Sequence, residues 1–515
     1  MTSEFTPAIG IDLGTTYSVL ARLDDKGRPT TLVNAEGDRS TPSVVLFDND
    51  EVVVGREALK AIATEPTKVA DGSKRDMGNR VYHKVINGKQ YPPEVIGAFI
   101  LNKLRVDAIS QIGPFSKVVI TVPAYFDEVR RKATQDAGYM AGFEVMDIIN
   151  EPTAAAIAFG FHQGFARGGE PVRGTYRVMV YDLGGGTFDV TLMEITGSRY
   201  TTLATDGDVQ LGGYDWDQRL VDLVAEGFIQ RHFCDPREDP IAAAKLWREC
   251  EDAKRTLSTR PKASVPCDYR GFSSRIEITR DQFEEATRDL VDRTRFTMTQ
   301  TLKAAGLKWS DVDRILLTGG STRMPMVRAM VRQVSGKEPD TSVAADEAVA
   351  HGAALRAGLL LDKARGKPPA FHIRNVNSHS LGVVGLDPTT KRRRNGILIP
   401  RNTPIPVTAK RVFKTQKANQ RSILVEVVEG ENASADDCTA IGRCTIRRLP
   451  PDLPAGSPVE VQFHYAPNGR LKVRVRLPNT SSEVETEFAR ENSLSKEHLD
   501  GWRRYISGLE PTDYC

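Results

Sequence analysis

Through the first 365 residues, short β-branched apolar runs alternate with longer segments whose apolar positions recur every three or four residues. Ala8–Ile11, Lys117–Val122, Arg177–Tyr181 and Arg314–Leu317 are predicted as buried strands. Glu94–Ile109, Asp127–Ala141, Thr153–Phe161, Asp217–Arg231, Ile241–Leu257 and Arg280–Ala305 have helical spacing. Such alternation reads as an α/β domain. Near residue 365 the texture changes. Lys363–Ala370 is a polar, proline-containing break suited to a linker. Beyond it Ile423–Glu429, Val459–Tyr465 and Leu471–Leu477 alternate with period two, and Pro467-Asn468-Gly469 marks a hairpin turn. This predicts an all-β domain. In Ser493–Leu509 a Ser-x-x-Glu type of cap is expected at Ser495, opening a short helix with Leu499, Trp502 and Ile506.

Composition narrows the class. At 515 residues, with 40% apolar and 27% charged positions, the chain is long enough for several domains and is neither fibrous nor wholly disordered. No apolar run approaches a membrane-spanning length, and Met1–Pro7 shows no basic segment leading into an apolar one, so a cytoplasmic location is expected. Cys234, Cys250, Cys267, Cys438, Cys444 and Cys515 form no C-x-x-C pair and no zinc-finger spacing, so free thiols are expected. The net charge of +3 hides a split: residues 366–515 hold 23 Lys+Arg against 16 Asp+Glu, whereas residues 1–365 hold 47 against 51. Regions of opposite sign suggest different partners.

One pattern occurs twice. Strand residues lead into Asp12-Leu13-Gly14-Thr15-Thr16-Tyr17, and again into Asp182-Leu183-Gly184-Gly185-Gly186-Thr187-Phe188-Asp189. Glycines let backbone N–H groups close around phosphate oxygens, and an aspartate at a strand end can organise Mg²⁺ through water. Two such loops imply a duplicated, two-lobed fold holding one polyphosphate between its halves. Gly319-Gly320-Ser321 with Arg323, and Gly212-Gly213 with Asp215 and Asp217, are further glycine turns where a nucleoside could lie against backbone. None matches the P-loop spacing.

In order along the chain stand I-D-L-G-T-T-Y-S (11–18), V-I-T-V-P-A-Y-F (119–126), I-I-N-E-P-T-A-A-A (148–156), Y-D-L-G-G-G-T-F-D (181–189), L-G-G-Y-D (211–215), A-K-R-T-L-S (253–258) and T-G-G-S-T-R-M-P (318–325). Together they resemble the ATPase domain of the 70-kDa heat-shock chaperone family over residues 8–362, with a weaker likeness to about residue 500. The resemblance implies an actin/hexokinase-like two-lobed ATPase domain (1–365), a linker (366–376), a β-sandwich peptide-binding domain (377–488) and a short helical remnant of a lid (489–515).

By the same resemblance Asp12, Asp182 and Asp189 set Mg²⁺ and its water shell, with K⁺ as a further candidate ion. Gly14, Thr15, Thr16, Tyr17, Gly184, Gly185, Gly186 and Thr187 wrap the phosphates of ATP or ADP. Lys74 stabilises charge on the γ-phosphate, Glu151 holds or deprotonates the attacking water, and Asp182 and Thr187 complete the catalytic set. Glu251, Lys254, Arg255 and Ser258, on one helical face, clasp the adenosine with Gly212, Gly213, Gly319, Gly320, Ser321, Arg323 and Asp346. Pro123 and Arg131 couple nucleotide state to the next domain. In that domain Val383, Ile423 and Val425 line a slot for one apolar side chain. Phe413 forms its wall, and Leu386 and Gln416 arch over the peptide.

Three departures from the family are expected to matter. Arg75–Phe99 is shorter than its counterpart. Phe371-His372-Ile373-Arg374-Asn375-Val376 replaces a leucine-rich linker, which leaves open whether it couples the domains. One short helix follows Phe488, so a bound peptide would lack a cover. The leading function is an ATP-hydrolysing, stress-response chaperone for unfolded polypeptides, with a J-domain co-chaperone and an exchange factor as partners and no nucleic-acid or membrane partner. The alternative is a nucleotide-gated interaction module of low ATPase activity; a small-molecule kinase of the same fold is disfavoured. Lys391-Arg392-Arg393-Arg394 is expected to form a solvated hairpin tip; it lacks the interleaved aromatics of a nucleic-acid site, and an acidic peptide or partner is the better minority reading.

Overall fold

A computed structural model describes residues 7–49, 51–164, 174–387, 389–447, 449–466, 470–478, 480, 482–487 and 494–508. The expected turn at Pro467-Asn468-Gly469, the N-terminal Met1–Thr6, Phe488, Ser493, Leu509 and Cys515 lie outside the described residues.

The duplication expected from the two aspartate turns is visible in strand order. In the first lobe Ile9–Asp12 pairs antiparallel with Tyr17–Leu23 and parallel with Lys117–Val122, which in turn pairs with Glu144–Asn150. In the second, Thr175–Leu183 pairs antiparallel with Phe188–Thr196 and parallel with Arg314–Thr318, and Phe188–Thr196 pairs with Arg199–Asp208. Each lobe therefore places its aspartate strand between a hairpin partner and a parallel neighbour. The strands are apolar on both faces because helices cover them.

The helices Glu151–His162 and Ala348–Ala364 cross where the lobes meet. Their approach is set by small residues: a Cβ on Gly352 would lie 1.8 Å from the Ala154 carbonyl oxygen, and one on Gly10 would lie 2.1 Å from the Ala354 nitrogen. The alanine run 154–156 is wholly buried there. The segment expected to be one helix over Arg280–Ala305 is two, Arg280–Ala286 and Arg288–Ala304. The break is at buried Thr287, whose φ of −115° leaves the helical region while its hydroxyl donates to the Phe283 carbonyl at 2.8 Å.

After Ala364 the linker supplies a strand, His372–Arg374, which pairs parallel with Arg199–Thr201 at the edge of the second-lobe sheet. Phe371 is buried, edge-on to Tyr200 at 5.7 Å. Asn375 Oδ1 accepts from the hydroxyls of Thr202 at 3.2 Å and Thr153 at 3.4 Å. A leucine run is thus not needed for docking, because backbone pairing and one aromatic anchor suffice.

Two four-stranded antiparallel sheets follow, Leu381–Leu386 with Arg393–Ile399, Ser422–Glu429 and Thr439–Arg447, and Val407–Lys414 with Pro458–Tyr465, Leu471–Arg476 and Glu483–Glu487. They enclose one apolar core containing Leu381, Val427, Phe463 and Val473.

The last described element, Lys496–Ile506, opens at Ser495, whose hydroxyl accepts from the His498 N–H at 3.3 Å. The reciprocal half of the expected capping box is missing, since the third residue along is His498 and Glu497 falls one position short. The helix packs on the first lobe: Trp502 and Ile506 are buried with Tyr91 and Phe99, and Tyr505 sits edge-on to Phe99 at 6.1 Å. Arg503 lies over the Tyr139 ring at 4.7 Å, and Asp500 accepts from the Tyr139 hydroxyl. Replacing Ser495 by Ala should cost this helix about 0.5–2 kcal/mol. Hydrogen exchange of residues 498–506 should rise several-fold; unchanged exchange would show that docking alone holds the helix.

Among the described residues no helix is long and apolar enough to cross a membrane, and Cys234, Cys250, Cys267, Cys438 and Cys444 are free.

Candidate functional site

Between the lobes lies a cavity of about 640 Å³, within the range of small-molecule and nucleotide sites. Its floor is the two glycine loops pressed together. A Cβ on Gly185 would meet the Thr16 hydroxyl at 1.8 Å, and one on Gly186 would meet Thr15 Cγ2 at 2.6 Å. Glycine at these positions is therefore dictated by the contact between loops as well as by room for a ligand. Gly213 N–H donates to the Gly184 carbonyl at 3.0 Å and Tyr214 N–H to that of Gly185 at 2.8 Å, which ties the Gly212-Gly213 turn to the same floor. Ser321 donates to the Gly184 carbonyl at 2.9 Å, bringing in the third turn.

The local chain places the charged groups. Lys74 sits in a 3₁₀ turn, Ser73–Asp76, preceded by Gly72 at φ 63°, the left-handed conformation glycine tolerates. Its Nζ lies 2.6 Å from Glu151 Oε1, and both side chains are buried. Glu151 opens its helix, Asp12 ends its strand, and Asp182 stands opposite Asp189 across the antiparallel pair.

Burial pushes the Asp12 carboxyl up to about 7, Glu151 adding to the effect and Lys74 opposing it. Burial, then the charges of Glu151 and Asp189, holds Asp182 well above the usual carboxylate range. Asp189 rises to about 7 through burial and Glu151, against hydrogen bonds from the Tyr125 N–H at 3.1 Å and the Ala124 N–H at 3.2 Å. Burial disfavours the Lys74 ammonium, yet Glu151, Asp12 and Asp182 outweigh it and raise the lysine pKa. Carboxylates outnumber cations here, and an all-oxygen donor set suits a hard divalent cation. Among the described residues no group of three His, Cys, Asp or Glu converges closely enough to hold a metal directly.

The helix Pro240–Thr259 presents Glu251, Lys254, Arg255 and Ser258 to the cavity on one face. Lys254 donates to Asp217 at 2.7 Å and to the Gly213 carbonyl at 3.0 Å. Burial raises Asp217 to about 6 despite that lysine. Arg255 bridges the lobes, 2.6 Å from Glu251 and 3.1 Å from the Tyr17 hydroxyl. Gly319, Gly320, Arg323 and Asp346 complete the rim, with Arg323 paired to Asp346. Gly186, Gly212 and Asp189 stand behind the lining. Sequence reasoning missed Asp71, Tyr214 and Trp247, which the fold brings to the wall. Gly72 beside Asp71 was the available signal, since its conformation points the turn at Tyr214, 3.2 Å from where a Cβ would lie.

A family model described as Hsp70 protein matches residues 8–87 and 79–505. This chain belongs to the Hsp70 family. The Hsp70 relatives include the Chaperone protein DnaK of Thermus thermophilus, 39% identical over 96% of this chain and 82% of that protein. Those of Metamycoplasma hominis (38%, over 97% and 82%) and Mycoplasmopsis pulmonis (39%, over 96% and 80%) are similarly close.

In this Hsp70, Pro123 and Arg131 lie between cavity and sandwich. The turn after Pro123 gives two amides to Asp189, while its Tyr125 carbonyl is 2.9 Å from His379 Nε2 of the sandwich. Arg131 donates to the Phe126 carbonyl at 3.2 Å and to Asn150. In the sandwich Val383 and Val425 are part of the apolar core, Phe413 and Ile423 are half-buried against it, and Leu386 and Gln416 are exposed.

Proposed function

We propose that this protein is an ATP-driven chaperone that hydrolyses ATP at the interlobe cavity and binds apolar segments of unfolded polypeptides on its sandwich. The observation that carries the reading is the three-residue turn Pro123–Tyr125. One side of it holds a carboxylate of the nucleotide site, and the other accepts from the sandwich. This short piece of backbone is the route by which a change of charge at Asp189 would reach the domain contact, as coupling between sites requires.

Asp12, Asp182 and Asp189 would hold Mg²⁺ through water, and that ion would neutralise charge on the bound polyphosphate. The Lys74 ammonium, fixed by Glu151, offers positive charge where a transferring phosphoryl group develops negative charge. Glu151, held in one geometry by that lysine, orients a water and accepts its proton. Backbone amides of Thr15, Thr16, Gly185 and Gly186 bind phosphate oxygens, while Arg255 and Glu251 close over the nucleoside. A J-domain co-chaperone and a nucleotide exchange factor complete the cycle.

Steady-state ATPase of the full chain, measured with and without an unfolded leucine-rich peptide and a J-domain protein, tests this. Stimulation by both is the expected result. The burial of Val383 and Val425 favours a second reading, a nucleotide-gated module for one specific partner; a low rate unmoved by either addition would decide for it.

A further inference from the structure

The peptide slot of the sandwich has a charge of its own. Period-two alternation along Val407–Lys414 puts Arg411 on the same face as Phe413. The Arg411 guanidinium indeed lies 5.7 Å from the Phe413 ring centroid, and both reach the space beside Gly396, the cross-strand partner of Val383. A positive charge thus borders the apolar wall itself. The loops on either side of the slot add Lys391 and Arg392, and Lys414, Lys417 and Arg421, all exposed.

None of these six cations has a carboxylate partner among the described residues. Two neighbouring arginines, by contrast, are neutralised: Arg393 pairs with Glu426 at 3.0 Å and Asp436 at 2.8 Å, and Arg394 is 3.8 Å from Asp387. Asp387, the acidic residue of the first loop, spends Oδ1 on its own turn, accepting from the Thr389 and Thr390 amides at 3.0 and 2.8 Å. Among the described residues, unpaired positive charge therefore gathers around the slot.

We propose that this site selects extended segments whose apolar anchor is flanked by aspartate or glutamate. The inference rests on the peptide-binding reading above and specifies its client class. Backbone pairing and the apolar anchor supply sequence-tolerant affinity, and the six cations decide which flanking residues are tolerated. Because they are exposed, their effect is screened by salt.

The test uses the full chain with ADP and three fluorescent peptides sharing a central leucine core, flanked by Asp/Glu, Ser or Lys/Arg. Anisotropy at about 50 mM salt should show the acidic-flanked peptide binding roughly tenfold or more tighter than the basic one, with the gap closing at about 0.5 M. The double variant Lys417→Glu with Arg421→Glu should narrow the gap between acidic- and basic-flanked peptides severalfold while still binding the Ser-flanked peptide. Equal or tighter binding of the Lys/Arg-flanked peptide to the unaltered chain overturns the charge preference and leaves the chaperone reading intact. A gap unchanged in the double variant does the same. Failure of all three peptides to bind removes both.

Discussion

Replacing Lys74 by Ala should lower ATP turnover by about a hundredfold or more while nucleotide binding persists. The side chain is buried at 6% exposure and 2.6 Å from Glu151, whereas the glycine turns and the helix Pro240–Thr259 line the other walls of the cavity. Stability must be followed alongside, because removing one partner of a buried ion pair costs about 3–5 kcal/mol by stranding the other. The double variant Lys74→Ala with Glu151→Gln isolates the stability effect. It should recover much of the lost stability, since a neutral amide replaces the stranded carboxylate, while its turnover stays lost because the water-orienting carboxylate is gone as well. Single-turnover hydrolysis and thermal unfolding on both variants provide the check. Full turnover in a folded Lys74→Ala protein would remove the lysine from catalysis.

Raising the pH from about 6.5 to about 9 should release the sandwich from the two lobes. At their contact buried Glu429 Oε2 accepts from the Glu128 backbone N–H at 3.3 Å, and the Glu128 carboxyl lies close enough to feel the Glu429 charge. Burial lifts Glu128 to about 8, Glu429 adding and Arg131 opposing. Burial lifts Glu429 to about 7, with Asp127 adding and His379 and Arg131 opposing. His379 resists its own burial through Glu431, Glu429 and the Tyr125 carbonyl, which raise it to about 9. Tyr465, Arg470, Arg401 and Asp206 also face this contact.

The signs agree. A carboxyl whose pKa is raised on docking weakens the docked state as pH climbs from its free value, near 4.5, to its docked value. A histidine whose pKa is raised strengthens docking below its free value, near 6.5, and that gain is gone above about 9. Each proton released on undocking changes the equilibrium by about tenfold per pH unit. Energy transfer between a dye on the second lobe and one on the sandwich should therefore fall across this window. Glu429→Gln, which keeps the acceptor for the Glu128 amide but does not ionise, should flatten the profile and hold the domains together at pH 8. A pH-independent signal in both proteins would contradict the assignment.

Much of the nucleotide site was legible because its parts are short-range. A strand ending in Asp12, or a turn of three glycines before Thr187, carries its geometry within a few residues of chain, where sterics and hydrogen bonding act locally. The helical face Glu251, Lys254, Arg255, Ser258 is likewise a matter of the 3.6-residue period. Ser495 announced its helix for the same reason. The break at Thr287 was not legible, since the flanking apolar spacing runs on through it and only the packed environment draws its hydroxyl back to Phe283.

By itself, then, the sequence determined the two-lobed α/β class, the all-β region after it, and the residues at the floor of the cavity. Tertiary structure alone decided that Phe371–Asn375 docks as a strand without leucines. It also decided that Trp502 and Ile506 pack on Tyr91 and Phe99 of the first lobe, and that Glu128 meets Glu429 across 301 positions. Each of these contacts joins segments far apart in the chain. Their stability comes from burial and charge that neither segment possesses until the other is in place.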